Sequence, residues 1–183
     1  MSEEMLIRHC SPTLAGMKTA SLFTCPYSSE AEIKDDIRRL NHSLVPKGLR
    51  VIPLRFENGR ALIYIYRPSS LRRDMQAPGS KKLLNSFGYN AANPEKCIVR
   101  LTGRIREHGS FPHEIGLFLG YPPEDVLGFI KSPRSGFKLT GCWKVYGDAE
   151  RAKLTFEKFE KCTNIYTALW KHGSSVERLA VAG

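Results

Sequence analysis

Apolar positions along this chain change period several times, and each change marks an element. Val51–Phe56 and Arg60–Tyr66 are rich in β-branched and aromatic residues and flank Glu57-Asn58-Gly59. An Asn-Gly pair between two such runs predicts a hairpin, because both turn residues tolerate positive φ. Leu62, Tyr64 and Tyr66 then share one face of the second strand, with Ile63 and Ile65 on the other. Pro53 marks the first strand as an edge strand or a bulged one, since proline cannot donate to a ladder. Ile33, Ile37, Leu40 and Leu44 recur at helical spacing behind Ser29, a good cap, and Pro46-Lys47-Gly48 stops that helix.

Further on, Ser69 caps a short helix through Met75, and a second runs from Gly79 to Phe87 before Gly88. Asn93-Pro94-Glu95 opens a third, turning Cys97, Ile98, Leu101 and Ile105 inward. Phe111–Ile130, FPHEIGLFLGYPPEDVLGFI, reads as two helices around a proline corner. Pro112 opens the first and Gly120 ends it in a left-handed cap; Glu124 and Asp125 then suit the positive N-terminus of the second. The basic turn Lys131–Gly136 leads into one or two short strands within 137–146. A long helix capped near Asp148 follows to Lys171, with Leu154, Phe156, Phe159, Cys162, Ile165, Tyr166 and Leu169 expected on a face packed along much of its length. Residues 1–27 begin with a short amphipathic piece, Met5-Leu6-Ile7, and are otherwise poor in regular structure, with one helical turn at most, and Val176–Val181 suggests a terminal strand. The expected architecture is a single α+β domain over 1–183, a small antiparallel sheet (hairpin 51–66 plus strands near 137–146) packed with a majority of α-helices.

Composition adds limits. The chain has 183 residues, 42% apolar and 25% charged, ordinary for one soluble globular domain. No run approaches the roughly 20 apolar residues of a membrane-spanning helix, and Met1–Cys10 lacks the apolar core of a signal peptide. A cytoplasmic protein with no membrane partner is expected. Cys10, Cys25, Cys97, Cys142 and Cys162 form no C-x-x-C and no zinc-finger spacing, so reduced thiols and no metal site are expected.

The net charge of +10 is uneven: residues 51–110 hold 11 basic and 4 acidic groups, +7 of the total. Such a field attracts anions. Lys96, Arg100 and Arg104, four apart on the outer side of the Asn93 helix, are the candidate partner-binding stripe. Reversing Arg100 and Arg104 to Glu is expected to abolish that interaction and leave folding intact, since changes of exposed charge cost little stability. Phosphate loops, dinucleotide fingerprints, G-x-S-x-G and H-E-x-x-H are absent, and these motifs leave any cofactor unknown.

Three functional readings arise. The first is a binding or accessory protein that presents Lys18, Arg67, His113 and Lys144 to an anionic ligand or partner. The second takes 112–130 as a helix-turn-helix from the spacing of Ile115, Gly116, Leu119, Gly120, Val126 and Phe129. Its recognition helix would begin with carboxylates, so nucleic acid is the less favoured partner and no duplex reading by 124–130 is expected. The third is an enzyme with Cys10 as thiolate nucleophile, His113 as its base and Glu114 or another carboxylate as orienter. The binding reading ranks ahead of both.

The segments His9–Lys18, Tyr64–Pro68, Phe111–Ile130 and Gly141–Asp148 resemble, in this order, a bacterial family catalogued as domain of unknown function 3793. The likeness runs from about His9 to the C-terminus. It implies members mostly from anaerobic Gram-positive bacteria, a cytosolic setting and a loose link to redox or iron metabolism. From that setting come flavodoxin-like proteins and nucleotide cofactors as candidate anionic partners. The resemblance supplies no activity.

Overall fold

A computed structural model describes residues 1–107 and 111–183. The chain is α+β and folds as two compact units, Met1–Ser69 with Lys161–Gly183, and Ser70–Glu160.

The first unit is built on an antiparallel sheet in the order β1-β3-β2, with β1 at Ala20–Pro26, β2 at Arg50–Glu57 and β3 at Arg60–Tyr66. The expected hairpin is β2–β3, and Asn58 (φ 49°) with Gly59 (φ 69°) takes the left-handed pair of angles that makes such a turn tight. Pro53 does both things its chemistry allows: β2 is an edge strand, and its register slips between Pro53 and Arg55. Ile63 and Ile65 face a core of Leu6, Leu14, Ile33, Ile37 and Leu44 from α1 (Glu3–Leu14) and α2 (Glu30–Leu44). Tyr64 and Tyr66, on the opposite face, are buried too and stack at 5.0 Å.

Two expectations for this unit are corrected. Residues 1–27 are not irregular: they form α1 and β1, and β1 is the third strand of the sheet. Pro12 hides the helix because it deletes one backbone donor, yet it sits in the last turn, where the chain is about to leave the helix. β1 reads Ala-Ser-Leu-Phe-Thr-Cys-Pro, with little strand propensity; pairing along the whole length of β3 makes it a strand. At the other end, Val176–Leu179 is a short helix, α9, capped by Ser175, rather than a strand.

The second unit holds most of α3 (Pro68–Gln76), then α4 (Pro78–Ser86), α5 (Pro94–Arg106), α6 (Ile115–Phe118), α7 (Pro123–Lys131), the two-residue strands β4 (Leu139–Thr140) and β5 (Lys144–Val145), and the first part of α8 (Ala149–Lys171). The strands near 137–146 pair only with each other, so they make a separate ribbon rather than an extension of the hairpin's sheet. Along α8 the packed face is narrower than expected: Phe159 and Cys162 are buried, but Leu154, Ile165 and Leu169 are exposed.

The proline corner follows its expected logic with a shorter first arm. Residues 112–114 form a turn and only Ile115–Phe118 is helical. Gly120 has φ 76°, and Tyr121 N–H donates back to Gly116 O at 2.9 Å, closing the helix end in a left-handed cap. A β-branched residue there would be strained, so Gly120→Val should cost about 1 kcal/mol or more. A urea midpoint unchanged from wild type would contradict this.

Candidate functional site

The site is assembled within the second unit from the proline corner and the β4–β5 ribbon. Its foundation is Glu114, a carboxylate almost wholly removed from water. A buried anion must be paired and hydrogen-bonded: the Arg104 guanidinium from α5 supplies the opposite charge at 2.5 Å, and Tyr89 O–H donates at 2.8 Å. Burial, together with the bond to Glu114, pushes the Tyr89 phenol well above its ordinary range. The guanidinium groups of Arg100 and Arg104 lie over the Tyr89 ring at 5.6 and 5.9 Å. This cluster fixes the backbone just before α6 and so places the neighbouring residue, His113. The His113 imidazole meets Phe129 of α7 edge-on at 5.0 Å.

The opposite wall is tied down by a second inward-facing carboxylate. Asp125, in the first turn of α7, is buried and accepts from Trp143 Nε1 at 2.7 Å, Tyr146 N at 2.7 Å and Gly147 N at 2.8 Å. Three donors to one carboxylate lock the β5 end of the ribbon to α7. The indole so anchored stacks on Tyr121 at 4.7 Å and meets Phe156 edge-on at 4.5 Å. The Tyr146 ring lies directly on Gly128 of α7, where any Cβ would collide with it. Burial, with a smaller contribution from Cys142, pushes the Tyr121 phenol up to about 12, so it remains a neutral hydroxyl at any physiological pH.

Between these walls lies a cavity of about 260 Å³, with Phe111, Tyr121, Phe129 and Trp143 supplying rings and His113 and Lys144 supplying the basic groups. The lysine is positioned rather than loose. Its Nζ donates to Pro133 O at 2.6 Å and lies 4.6 Å from the Phe137 ring and 5.8 Å from Phe129. Asp125 borders the same cavity, but its charge is already met by three donors. The arrangement can hold a flat apolar body against aromatic walls and meet one negative charge at its edge.

The chain belongs to DUF3793. The model of this family, described as a protein of unknown function, matches residues 6–180. No curated protein and no solved structure matches the chain. The four segments that carry the DUF3793 resemblance meet two by two. In the second unit, Phe111–Ile130 and Gly141–Asp148 build the cavity and the Asp125 lock. In the first unit, His9–Lys18 and Tyr64–Pro68 meet through Arg67, whose Nε donates to Thr13 O at 2.8 Å and whose Nη2 donates to Leu14 O at 2.7 Å and Val181 O at 2.8 Å.

The expected site residues therefore have distinct placements. His113 and Lys144 line one cavity. Arg67 is buried and spends its guanidinium on backbone carbonyls at the end of α1, a clasp for the chain. Lys18 lies near the Cys10 thiol. Cys10 is fully buried, and burial drives its thiol far upward against the opposing influence of Lys18 and a bond to Ser21. A thiolate nucleophile needs the reverse. Glu114 is engaged by Arg104 and Tyr89 and orients the α6 entry rather than an imidazole.

The Lys96–Arg100–Arg104 stripe is not one surface. Lys96 and Arg100 are exposed, Arg100 with its guanidinium over the Tyr89 ring, while Arg104 is committed to the buried Glu114, so the expectation that reversal leaves folding intact is corrected for Arg104. Trp143, Tyr121, Phe129 and Asp125 are not among the site residues expected from sequence, where Asp125 and Phe129 enter only as positions of the second helix. Their one signal is the density of rings within 121–146. Among the described residues no three His, Cys, Asp or Glu side chains gather as a metal would require, and no helix is long and apolar enough to cross a membrane.

Proposed function

We propose that this member of DUF3793 is a binding protein whose second unit takes a small aromatic anion. The observation that carries the reading is the cavity itself, in which four aromatic side chains close around a space edged by His113 and Lys144. Its volume, near the lower end of ligand pockets, suits one or two fused rings rather than a dinucleotide. Ring faces gain from stacking and from water release, and a partly desolvated cation at the edge selects for an acidic substituent. The DNA reading draws no support from α7, whose Asp125 points inward to the ribbon and whose Glu124 would face phosphate with like charge.

Calorimetric titration with 1-naphthoate and its neutral analogue 1-naphthamide tests the proposal. Naphthoate should bind the tighter of the two. Phe129→Ala should weaken both by about tenfold or more, since it removes a wall worth over 1.4 kcal/mol. Lys144→Gln should weaken naphthoate roughly fivefold and leave naphthamide in place, the signature of an edge contact worth about 1 kcal/mol. Wild-type protein that ignores both compounds, or that holds the amide as tightly as the acid, would defeat the reading.

A further inference from the structure

We infer that the acidic group of the ligand is a phosphate monoester, gripped at the cavity rim by the loop Lys131–Lys138 together with Lys144. The inference rests on the cavity reading above and names the chemistry of its anion.

The loop joins α7 to β4, and every residue from Lys131 to Lys138 is exposed. It is nevertheless held to β5 and the residues after it. Tyr146 O–H donates to Ser132 O at 2.7 Å, Lys144 Nζ to Pro133 O at 2.6 Å, Lys138 N to Val145 O at 2.7 Å and Lys138 Nζ to Gly147 O at 2.8 Å. Both ends of the loop are thus stitched to β5 and the residues after it, the strand that brings Lys144 to the cavity. An exposed loop with no core of its own would ordinarily be free to drift; this one is tethered to Lys144, a residue of the cavity lining.

Its charge is one-sided. From Val126 to Gly147 the chain carries Lys131, Arg134, Lys138 and Lys144 and no Asp or Glu. The carboxylates that flank this stretch in sequence are held by neutral N–H donors: Asp125 accepts from three, and Asp148 accepts from Arg151 N at the start of α8. Glu124 lies beside Gly147, at the end of this stretch. Lys138 and Lys144 already share their ammonium groups with carbonyls, which leaves Lys131 and Arg134 as the outward-facing pair.

A carboxylate brings one charge, and Lys144 alone meets it. A phosphate monoester near neutral pH brings a charge of about −1.5 to −2 and three acceptor oxygens, which call for a guanidinium fork and more than one cation. A strongly hydrated dianion is also costly to bury. The cavity of about 260 Å³ takes the ring, and the phosphate stays outside among the loop cations. The ligand class is a planar ring system carrying a phosphate monoester.

The test compares 1-naphthoate, 1-naphthyl phosphate and inorganic phosphate on the whole chain by calorimetry at low ionic strength. Naphthyl phosphate should bind about tenfold more tightly than naphthoate, and inorganic phosphate far more weakly than either. The double variant Lys131→Gln/Arg134→Gln changes only exposed side chains. It should bring naphthyl phosphate down to the naphthoate level while leaving naphthoate within about twofold of wild type. Equal wild-type affinities for the two naphthyl compounds, an advantage that survives the double variant, or inorganic phosphate matching naphthyl phosphate would each overturn the inference and leave the cavity reading standing. If neither naphthyl compound binds, both fall together.

Discussion

Arg104→Ala is expected to lower stability by about 2–3 kcal/mol, whereas Lys96→Ala on the same helix should change it by no more than about 0.5 kcal/mol. The two residues share a face of α5 by sequence spacing, but only one has a buried partner. Glu114 is 3% exposed and Arg104 34%. Removing the cation leaves a carboxylate in a place water barely reaches, with Tyr89 O–H as its remaining donor. Loss of one partner from a fully buried pair costs about 3–5 kcal/mol; the partial exposure of Arg104 brings the figure down. Arg104→Lys restores a charge without the guanidinium's planar fork and should recover part of the loss. Urea titrations of the three variants decide the matter, and equal midpoints for Arg104→Ala and Lys96→Ala would dismiss the ion pair. A double reversal of Arg100 and Arg104 would place a second carboxylate beside Glu114. Loss of partner binding in that variant would report a damaged fold, not a lost contact.

Asp125→Ala should be the most damaging change near the cavity, at about 3–4 kcal/mol. It strands three donors at once, the Trp143 indole N–H and the backbone N–H groups of Tyr146 and Gly147. Each orphaned donor costs about 1–3 kcal/mol, and part-exposure of all three keeps the sum toward the low end. Asp125→Asn should cost less, because its carbonyl oxygen can still serve the two backbone donors while its amide faces the indole as a donor to a donor. The near-ultraviolet circular dichroism of Trp143 should weaken in both variants, and naphthoate binding should fall with it. A variant Asp125→Ala that melts with wild type and keeps that signal would show that the ribbon is held by packing alone.

Local rules read much of this chain correctly. The hairpin around Asn58-Gly59, the Ser29 and Asn93 caps and the positive φ of Gly120 each depend on a few adjacent residues, and each is where those residues put it. Where the reading slipped, the deciding partner lay far along the chain. β1 is a strand because β3 lies beside it, and α1 survives Pro12 because its last carbonyls are taken up, two of them by Arg67. The exposed Leu154, Ile165 and Leu169 show the opposite failure: periodicity states that a helix can be packed on one face, not that anything packs there.

The candidate site divides in the same way. His113 and Lys144 were visible as basic groups within patterned segments, since charge and motif are properties of the chain itself. That they border one aromatic cavity, and that Glu114 and Asp125 are its inward-facing anchors and not surface carboxylates, was decided only in three dimensions. By itself the sequence determined the turns, the caps, the α+β class and the uneven charge, because these follow from the torsional preferences and spacing of neighbours. The tertiary structure alone decided which charges are buried and paired, because the energy of a charge depends on how much water remains around it and on partners that no local pattern specifies.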